Sequence, residues 1–134
     1  AVGDATEGLF NSSHWTLDLD NETNARFIED FEAEYDRIPT LYASQGYDAA
    51  LLIASAIASV DGDLSDKEAL GAAILAADFD SVRGEFEFNT NHFPIQDYYL
   101  RQVVRDEEGN LVNTTVTTIF EDHADAYAEL CGME

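Results

Sequence analysis

Residues Pro39–Val60 read PTLYASQGYDAALLIASAIASV, and the interpretation of the fold depends on this stretch. From Ala49 to Val60 the only polar side chains are Ser55 and Ser59. A run this apolar predicts a helix near residues 45–60 that is buried on every side. The run is shorter than the ~20 residues that cross a bilayer, so the burial is expected inside a protein core.

The predicted start of this helix carries candidate site residues. Gly46, Tyr47 and Asp48 fall in its first turn, where free backbone N–H groups and the positive end of the helix dipole are found. In one interpretation Tyr47 and Asp48 face a cleft and contact a ligand. In the other, Tyr47 packs in the core and Asp48 only complements the helix dipole.

The apolar spacing changes along the chain, which predicts an α/β protein with three helices followed by strands and a short terminal helix. The helical period and the alternating period predict helices near 21–37 and 66–77 and strands near 84–89, 97–106 and 111–120. Trp15–Leu19 predicts a short strand or an extended connection, Ser65–Glu68 a capping box, and 122–130 the terminal helix.

The charge of the chain is strongly unbalanced. Twenty-eight acidic residues face six basic ones, for a formal net charge of −22 over 134 residues. Such a surface repels phosphate backbones and anionic lipid headgroups, so nucleic acids and membrane surfaces are excluded as partners. The excess can solvate the protein in a salty environment or form a docking face for a basic partner. Because the acids are scattered through every segment, the first explanation is favoured.

The sequence contains no recognisable catalytic or metal-binding motif. His14, His92 and His123 lack the spacing of a zinc site, and Asp61–Ser65 lacks the glycine and the final acid of a calcium loop. Cys131 is the only cysteine, so an internal disulfide is excluded. We therefore expect no catalytic residues, no metal and no cofactor.

Several motifs in a fixed order resemble one protein family. They are Trp15, Asp18–Asn21, Gly46–Ala50, Val82–Asn89 and Asn91–Tyr99. This order resembles the solute-binding proteins of branched-chain amino acid ABC transporters, which have the type I periplasmic binding fold. Members of that family are considerably longer, and the chain resembles only their C-terminal part.

The resemblance implies a fold of two lobes that close on a ligand. Residues 1–92 would be a segment of one α/β lobe, and 93–134 would form the last inter-lobe crossing, a hairpin and the terminal helix of the other. Tyr47, Asp48 and Gln45 would contact the ligand, and Pro94 and Gln96 would act as hinge residues. Most contacts to the amino and carboxylate groups of the ligand would come from upstream elements.

The resemblance also implies a function without catalysis. The protein would capture a small solute in the periplasm or another extracytoplasmic space and deliver it to the membrane permease of an ABC transporter. The ligand stays open among branched-chain amino acids, other amino acids, amides and aromatic acids. Two alternatives are a ligand-sensing receptor domain of the same fold and an acid-rich hydrolase. We also expect this chain alone to form a dimer or larger assembly through its apolar surface and open strand edge.

Overall fold

The chain forms three α-helices and a four-stranded antiparallel sheet, as a computed structural model describes for residues 3–132. The predicted α/β fold class is confirmed. In chain order the elements are a 3-10 turn at Gly3–Thr6, β1 at Phe10–Ser13, α1 at Glu22–Tyr35, α2 at Leu41–Ser59, α3 at Lys67–Ala76, β2 at Glu87–Phe88, β3 at Pro94–Arg105, β4 at Leu111–His123, and a 3-10 turn at Ala128–Leu130.

The starts of α1 and α3 follow local capping chemistry. The Asn21 side chain accepts a hydrogen bond from the Asn24 backbone N–H at 3.0 Å, which satisfies one free donor of the first turn of α1. Asp66 caps α3 in the same way by accepting from the Ala69 N–H at 3.0 Å. The predicted capping box at Ser65 is wrong by one residue, since Asp66 takes the capping position.

Helix α2 begins earlier than the sequence predicted. Thr40 is its N-cap and accepts from the Ala43 N–H, so the first helical residue is Leu41. A start near residue 45 is therefore wrong, because a threonine directly after a proline supplies the cap at the point where the apolar run has not yet begun. Tyr47 and Asp48 consequently lie in the second turn. The free backbone N–H groups of the first turn therefore give no reason to expect a ligand at these two residues.

The prediction that α2 is buried on every side is also wrong for this chain. Only Ser44, Asp48 and Ala56 of this helix are buried, and Ile53 is 52% exposed. The helix packs against α3 and the core residues beside α1, and the sheet does not cover its remaining face. No helix within residues 3–132 is long and apolar enough to cross a membrane.

Strand β3 is the centre of the sheet. Its residues 99–102 pair with β1 and also with β4, so β1 and β4 lie on opposite edges. Among the described residues, β4 pairs only with β3, which leaves its outer edge open. The predicted association through this edge stays a prediction. Register shifts near Gln96, Tyr98 and Leu100 interrupt the β3–β4 ladder, and such bulges redirect side chains.

Strand lengths differ from the prediction at both ends of the sheet. The strand expected at 84–89 is reduced to Glu87–Phe88, because Ser81–Gly84 forms a tight turn in which Gly84 has a φ of 95°. β4 continues to His123, so the terminal helix predicted at 122–130 is reduced to the turn at Ala128–Leu130. The strand near the amino terminus is β1 at 10–13, whereas Trp15–Leu19 is not a strand.

The core forms where α1, α2 and the loop after α3 meet. Trp15, Phe27 and Val82 are buried together, and Tyr47 packs against this cluster. The Trp15 Nε1–H donates to the Asn24 Oδ1 at 2.8 Å, and the Asn24 amide donates in turn to the carbonyls of residues 16 and 17. This buried amide therefore ties the loop before α1 to the helix itself.

Candidate ligand-binding site

A buried carboxylate connects α2 to the turn that follows α3. Asp48 is 2% exposed and accepts three hydrogen bonds, from the Ser81 Oγ at 2.8 Å, the Val82 N–H at 2.9 Å and the Arg83 Nε at 2.9 Å. Buried charges persist in proteins when they are paired and hydrogen-bonded in this way. Asp48 thereby fixes the position of the Arg83 side chain.

The Arg83 guanidinium is held on several sides. Besides the bond to Asp48, its Nη1 donates to the Gln96 Oε1 at 2.8 Å, and its Cζ lies 4.8 Å from the centre of the Phe86 ring. The turn that carries Arg83 is closed by the Ser81 Oγ, which accepts from the Arg83 backbone N–H at 3.0 Å. The Arg83 side chain is 11% exposed, so only a small part of it meets solvent.

A cavity of about 290 Å³ opens beside this guanidinium. It lies between the Ser81–Gly84 turn, the start of β3 and the end of β4. Its wall combines aromatic and apolar side chains with polar and charged groups. The lining residues are His14, Arg83, Gly84, Glu85, Phe86, Ile95, Gln96, Asp97, Tyr99 and Asp122. Mixed walls and volumes near this size are typical of small-molecule sites.

Two acidic residues of the cavity are joined at a bulge in β4. The Asp97 carboxylate accepts from the Asp122 backbone N–H at 2.9 Å and from the Tyr99 hydroxyl at 3.2 Å. Burial, followed by the Asp97 charge and hydrogen bond, raises the pKa of Tyr99 to about 12. Tyr99 is therefore a hydroxyl donor throughout the physiological range, and it holds Asp97 in place.

His14 closes the cavity on the side of β1. Its Nε2 lies 3.2 Å from the Gln45 Nε2, and its ring meets the Tyr98 ring edge-on at 6.1 Å. Burial, and then the positive charges of Arg83 and Arg101, lower the pKa of His14 below 6.5, although the Asp48 charge acts in the opposite direction. The neutral imidazole thus accepts a hydrogen bond from Gln45 at neutral pH.

The lowered pKa of His14 makes part of the stability depend on pH. Because the unfolded state binds the proton more readily, we expect stability to fall as the pH drops through 6.5 towards the pKa of the folded state. The variant His14→Gln should lack this loss, measured by urea unfolding at a series of pH values. His92→Gln, at an exposed position, should follow the wild type. If the plots of unfolding free energy against pH run parallel for wild type and His14→Gln, the lowered pKa of His14 is contradicted.

The structure brings together some of the sequence-predicted site residues and leaves others apart. Gln96 lines the cavity. Gln45 is hydrogen-bonded to the lining residue His14, and Asp48 is paired with the lining residue Arg83. Pro94 begins β3 two residues before Gln96. Tyr47 does not line this cavity, since its ring packs 4.8 Å from that of Phe27.

Nine of the ten lining residues were missed as site residues by sequence reasoning, among them His14, Arg83, Phe86 and Tyr99. Arg83 carried a usable signal, because it is one of only six basic residues and lies inside the Val82–Asn89 motif. The other three are ordinary aromatic or imidazole side chains, and their sequence positions are too far apart to predict a shared cavity.

A second, larger space lies between α1, α2 and the loop at 79–86. This groove has a volume of about 1140 Å³ and opens broadly to solvent. Its wall includes Leu51, Ala54 and Phe79 together with polar residues from the start of α1. We place the candidate site in the smaller cavity because buried and mutually fixed polar groups converge there.

Within residues 3–132, no group of three or more histidine, cysteine, aspartate or glutamate residues could hold a metal ion.

The sequence matches a known family over most of its length. The family model described as periplasmic binding protein matches residues 1–109. The chain belongs to the periplasmic binding protein family. This family membership confirms the resemblance to type I periplasmic binding proteins. No match was found among curated protein sequences.

Solved structures of periplasmic binding proteins show the same fold. A solute-binding protein of an ABC transporter from R. palustris, in complex with benzoate, is 35% identical with a TM-score of 0.82, over 92% of this chain and 33% of its own. One from Rhodopseudomonas palustris HaA2, in complex with p-hydroxybenzoic acid, is 26% identical with a TM-score of 0.78, over 93% of this chain and 34% of its own.

A leucine-binding protein from Thermotoga maritima MSB8 is 24% identical with a TM-score of 0.69, over 87% of this chain and 32% of its own. At this identity the likeness concerns the fold alone. The chain spans about a third of the length of the solved periplasmic binding proteins it matches.

Proposed function

We propose that the protein is the solute-binding component of an ABC-type uptake transporter. It binds a small solute outside the cytoplasm, in the periplasm or an equivalent space, and presents it to a membrane permease. The observation that carries this proposal is the 35% identity to an ABC transporter solute-binding protein in complex with benzoate. The family match over residues 1–109 supports it.

The proposed ligand class is a small aromatic carboxylate. Benzoate, p-hydroxybenzoic acid and leucine are the ligands named for the three relatives, and each carries a carboxylate beside an apolar group. The two relatives with higher identity hold aromatic acids, which favours these over branched-chain amino acids. The aromatic rings of Phe86 and Tyr99 in the cavity wall suit a flat ring.

The proposed binding mode uses two lobes. In this proposal 1–92 is a segment of one lobe, apart from β1, which pairs with β3, and 93–134 carries the last crossing and the other lobe, with Pro94 and Gln96 as hinge residues. Tyr47, Asp48 and Gln45 are the proposed contact residues on α2, and Gln45 is exposed and hydrogen-bonded to His14. Asp48 acts through the groups it positions, since three donors occupy its carboxylate.

A role without catalysis is part of this proposal. A carboxyl group that serves as a general acid needs a raised pKa. For Asp18, burial raises the pKa, but hydrogen bonds from Thr16 and Thr115 outweigh this effect, so the pKa is lowered overall. Hydrogen bonds from Ser65 lower the pKa of Asp63. Neither Asp18 nor Asp63 therefore has the raised pKa that a general acid needs.

The ligand proposal is tested by titration calorimetry on the protein in its full natural length. Benzoate and p-hydroxybenzoate should bind more tightly than leucine. Tight binding of leucine with no heat from either aromatic acid would replace the proposed ligand class with amino acids.

Removing the Tyr47 ring tests the predicted contact on α2. Tyr47 does not line the cavity of this chain, so its contact with the ligand is proposed from the family resemblance alone. On that proposal Tyr47→Ala should weaken benzoate binding by about 1–3 kcal/mol in the full-length protein, the usual effect of losing one aromatic contact. Tyr35→Ala is the matched control, because Tyr35 is 57% exposed at the end of α1 and should leave affinity unchanged. Unchanged affinity in the Tyr47 variant would assign that ring to the core alone.

A further inference from the structure

We propose that the Nη2 group of Arg83 binds the carboxylate of the solute, and that Asp48 and Gln96 are positioning residues that aim it. The inference rests on the proposed function and adds a contact from this chain to those that the family resemblance places upstream. It assigns the preference for an anionic ligand to one atom of one side chain.

The hydrogen bonds of Arg83 leave one edge of its guanidinium available. Nε donates to Asp48 and Nη1 donates to Gln96, whereas Nη2 has no partner among residues 3–132. Every buried side-chain nitrogen or oxygen in that range has a hydrogen-bond partner. Nη2 is therefore not fully buried, and Arg83 lines the cavity of about 290 Å³.

The guanidinium is already ordered before a ligand arrives. Its plane is fixed by the ion pair at 2.9 Å, by the Gln96 bond at 2.8 Å and by the Phe86 ring at 4.8 Å. A ligand carboxylate that meets a fixed donor loses less free energy to side-chain ordering than one that must immobilise a free arginine. A carboxylate at Nη2 would also place its apolar body near Phe86 and Tyr99 in the same wall.

The acidic residues of the cavity do not cancel this contact. Glu85 and Asp122 are exposed, so water and salt screen their charges. The Asp97 carboxylate is occupied by the Tyr99 hydroxyl and the Asp122 N–H. His14 lies near as a neutral ring at neutral pH. Arg83 is thus the cationic donor with an open N–H in this wall.

A purely structural Arg83 would serve only as the counter-charge of Asp48. The two roles differ in how binding depends on ligand charge, so the test compares benzoate with benzamide, a neutral analogue of the same shape. In the wild-type full-length protein, titration calorimetry should give benzoate about tenfold or more higher affinity. Equal affinities would overturn the inference and leave the proposed function intact. Absence of binding by benzoate, p-hydroxybenzoate and leucine would overturn both.

Variants then locate the preference. The double variant Asp48→Asn/Arg83→Gln removes both charges together, so no buried charge is left unpaired. We expect its benzoate affinity to fall about tenfold or more while its benzamide affinity changes less than about threefold. Equal losses for the two ligands would overturn the inference.

A milder variant decides the question if the double variant does not fold. Gln96→Ala leaves the Asp48–Arg83 ion pair in place, frees Nη1 and removes the amide that donates to the Tyr98 hydroxyl at 3.2 Å. The benzoate-to-benzamide affinity ratio should fall by about threefold or more, as expected for loss of one positioning hydrogen bond. An unchanged ratio in Gln96→Ala would overturn the role of Arg83 as an aimed donor. Gln102→Ala, on the same strand but outside the cavity, is the matched control.

Discussion

Replacing Asp48 by alanine is expected to lower the free energy of unfolding by about 3–5 kcal/mol, the range for breaking a buried ion pair from one side. The variant leaves the guanidinium of Arg83 without its counter-charge at a position that is 11% exposed. It also removes the acceptor for the Ser81 hydroxyl and the Val82 N–H. The loss therefore combines an unpaired charge with two orphaned donors.

Urea unfolding followed by circular dichroism measures this effect. Asp48→Asn keeps an oxygen acceptor of similar shape, so it should lose less stability than the alanine variant. Asp30→Ala removes an exposed carboxylate on α1 and should leave the unfolding free energy almost unchanged. A loss below about 1 kcal/mol for Asp48→Ala would show that the ion pair contributes little.

Truncating Trp15 to alanine is expected to cost about 3–5 kcal/mol, as large-to-small changes of buried aromatic residues do. Trp15 is 2% exposed and its ring meets that of Phe27 edge-on at 6.1 Å. The cavity left behind lies at the centre of the core cluster with Val82. The Asn24 Oδ1 also loses the indole N–H that donates a hydrogen bond to it.

The variant Trp15→Phe separates these two contributions. It keeps most of the aromatic volume but removes the indole N–H, so it should cost about 1–3 kcal/mol for the unsatisfied Asn24 oxygen. Leu130→Ala removes an apolar side chain of an exposed residue and serves as the control. Equal losses in the alanine and phenylalanine variants would show that the hydrogen bond, not the packing, dominates.

The features that the sequence predicted well are those with local causes. Helix α1 has apolar residues Phe27, Ile28 and Phe31 on one face, and its start is capped by Asn21 within three residues. The β3–β4 hairpin is rich in β-branched and aromatic residues on both sides of an acidic and glycine-containing turn at 106–110. In such elements the sequence pattern and the stabilising contacts coincide, so pattern reading is sufficient.

The errors arise where distant contacts override local pattern. The alternation at Glu85–Phe88 predicts a longer strand, but Phe86 stacks on Arg83 and the turn at Ser81–Gly84 shortens the pairing. Residues near His123 carry helical signals, yet pairing of Gln96 with His123 extends β4 through them. The burial of α2 was overestimated because composition alone does not show which faces neighbouring elements cover.

The candidate site was only partly predictable for the same reason. Asp48 and Arg83 are 35 residues apart, and Arg83 and Gln96 are 13 apart. With 28 acidic residues in the chain, no sequence rule could select Asp48 as the carboxylate that pairs with Arg83. The family resemblance predicted site residues on α2 and at the start of β3, but their hydrogen-bond partners depend on the fold.

The pairing of β1 with β3 has a consequence for synthesis of the chain. The Arg101 side chain binds Asn11 across 90 residues of sequence, and backbone bonds join residues 8–9 to Val103. At translation rates of about 5–20 residues per second, β1 leaves the ribosome roughly 5–20 s before its partner exists. Closing so long a loop is slow even then. During that interval the backbone groups of β1 remain without their partners on β3.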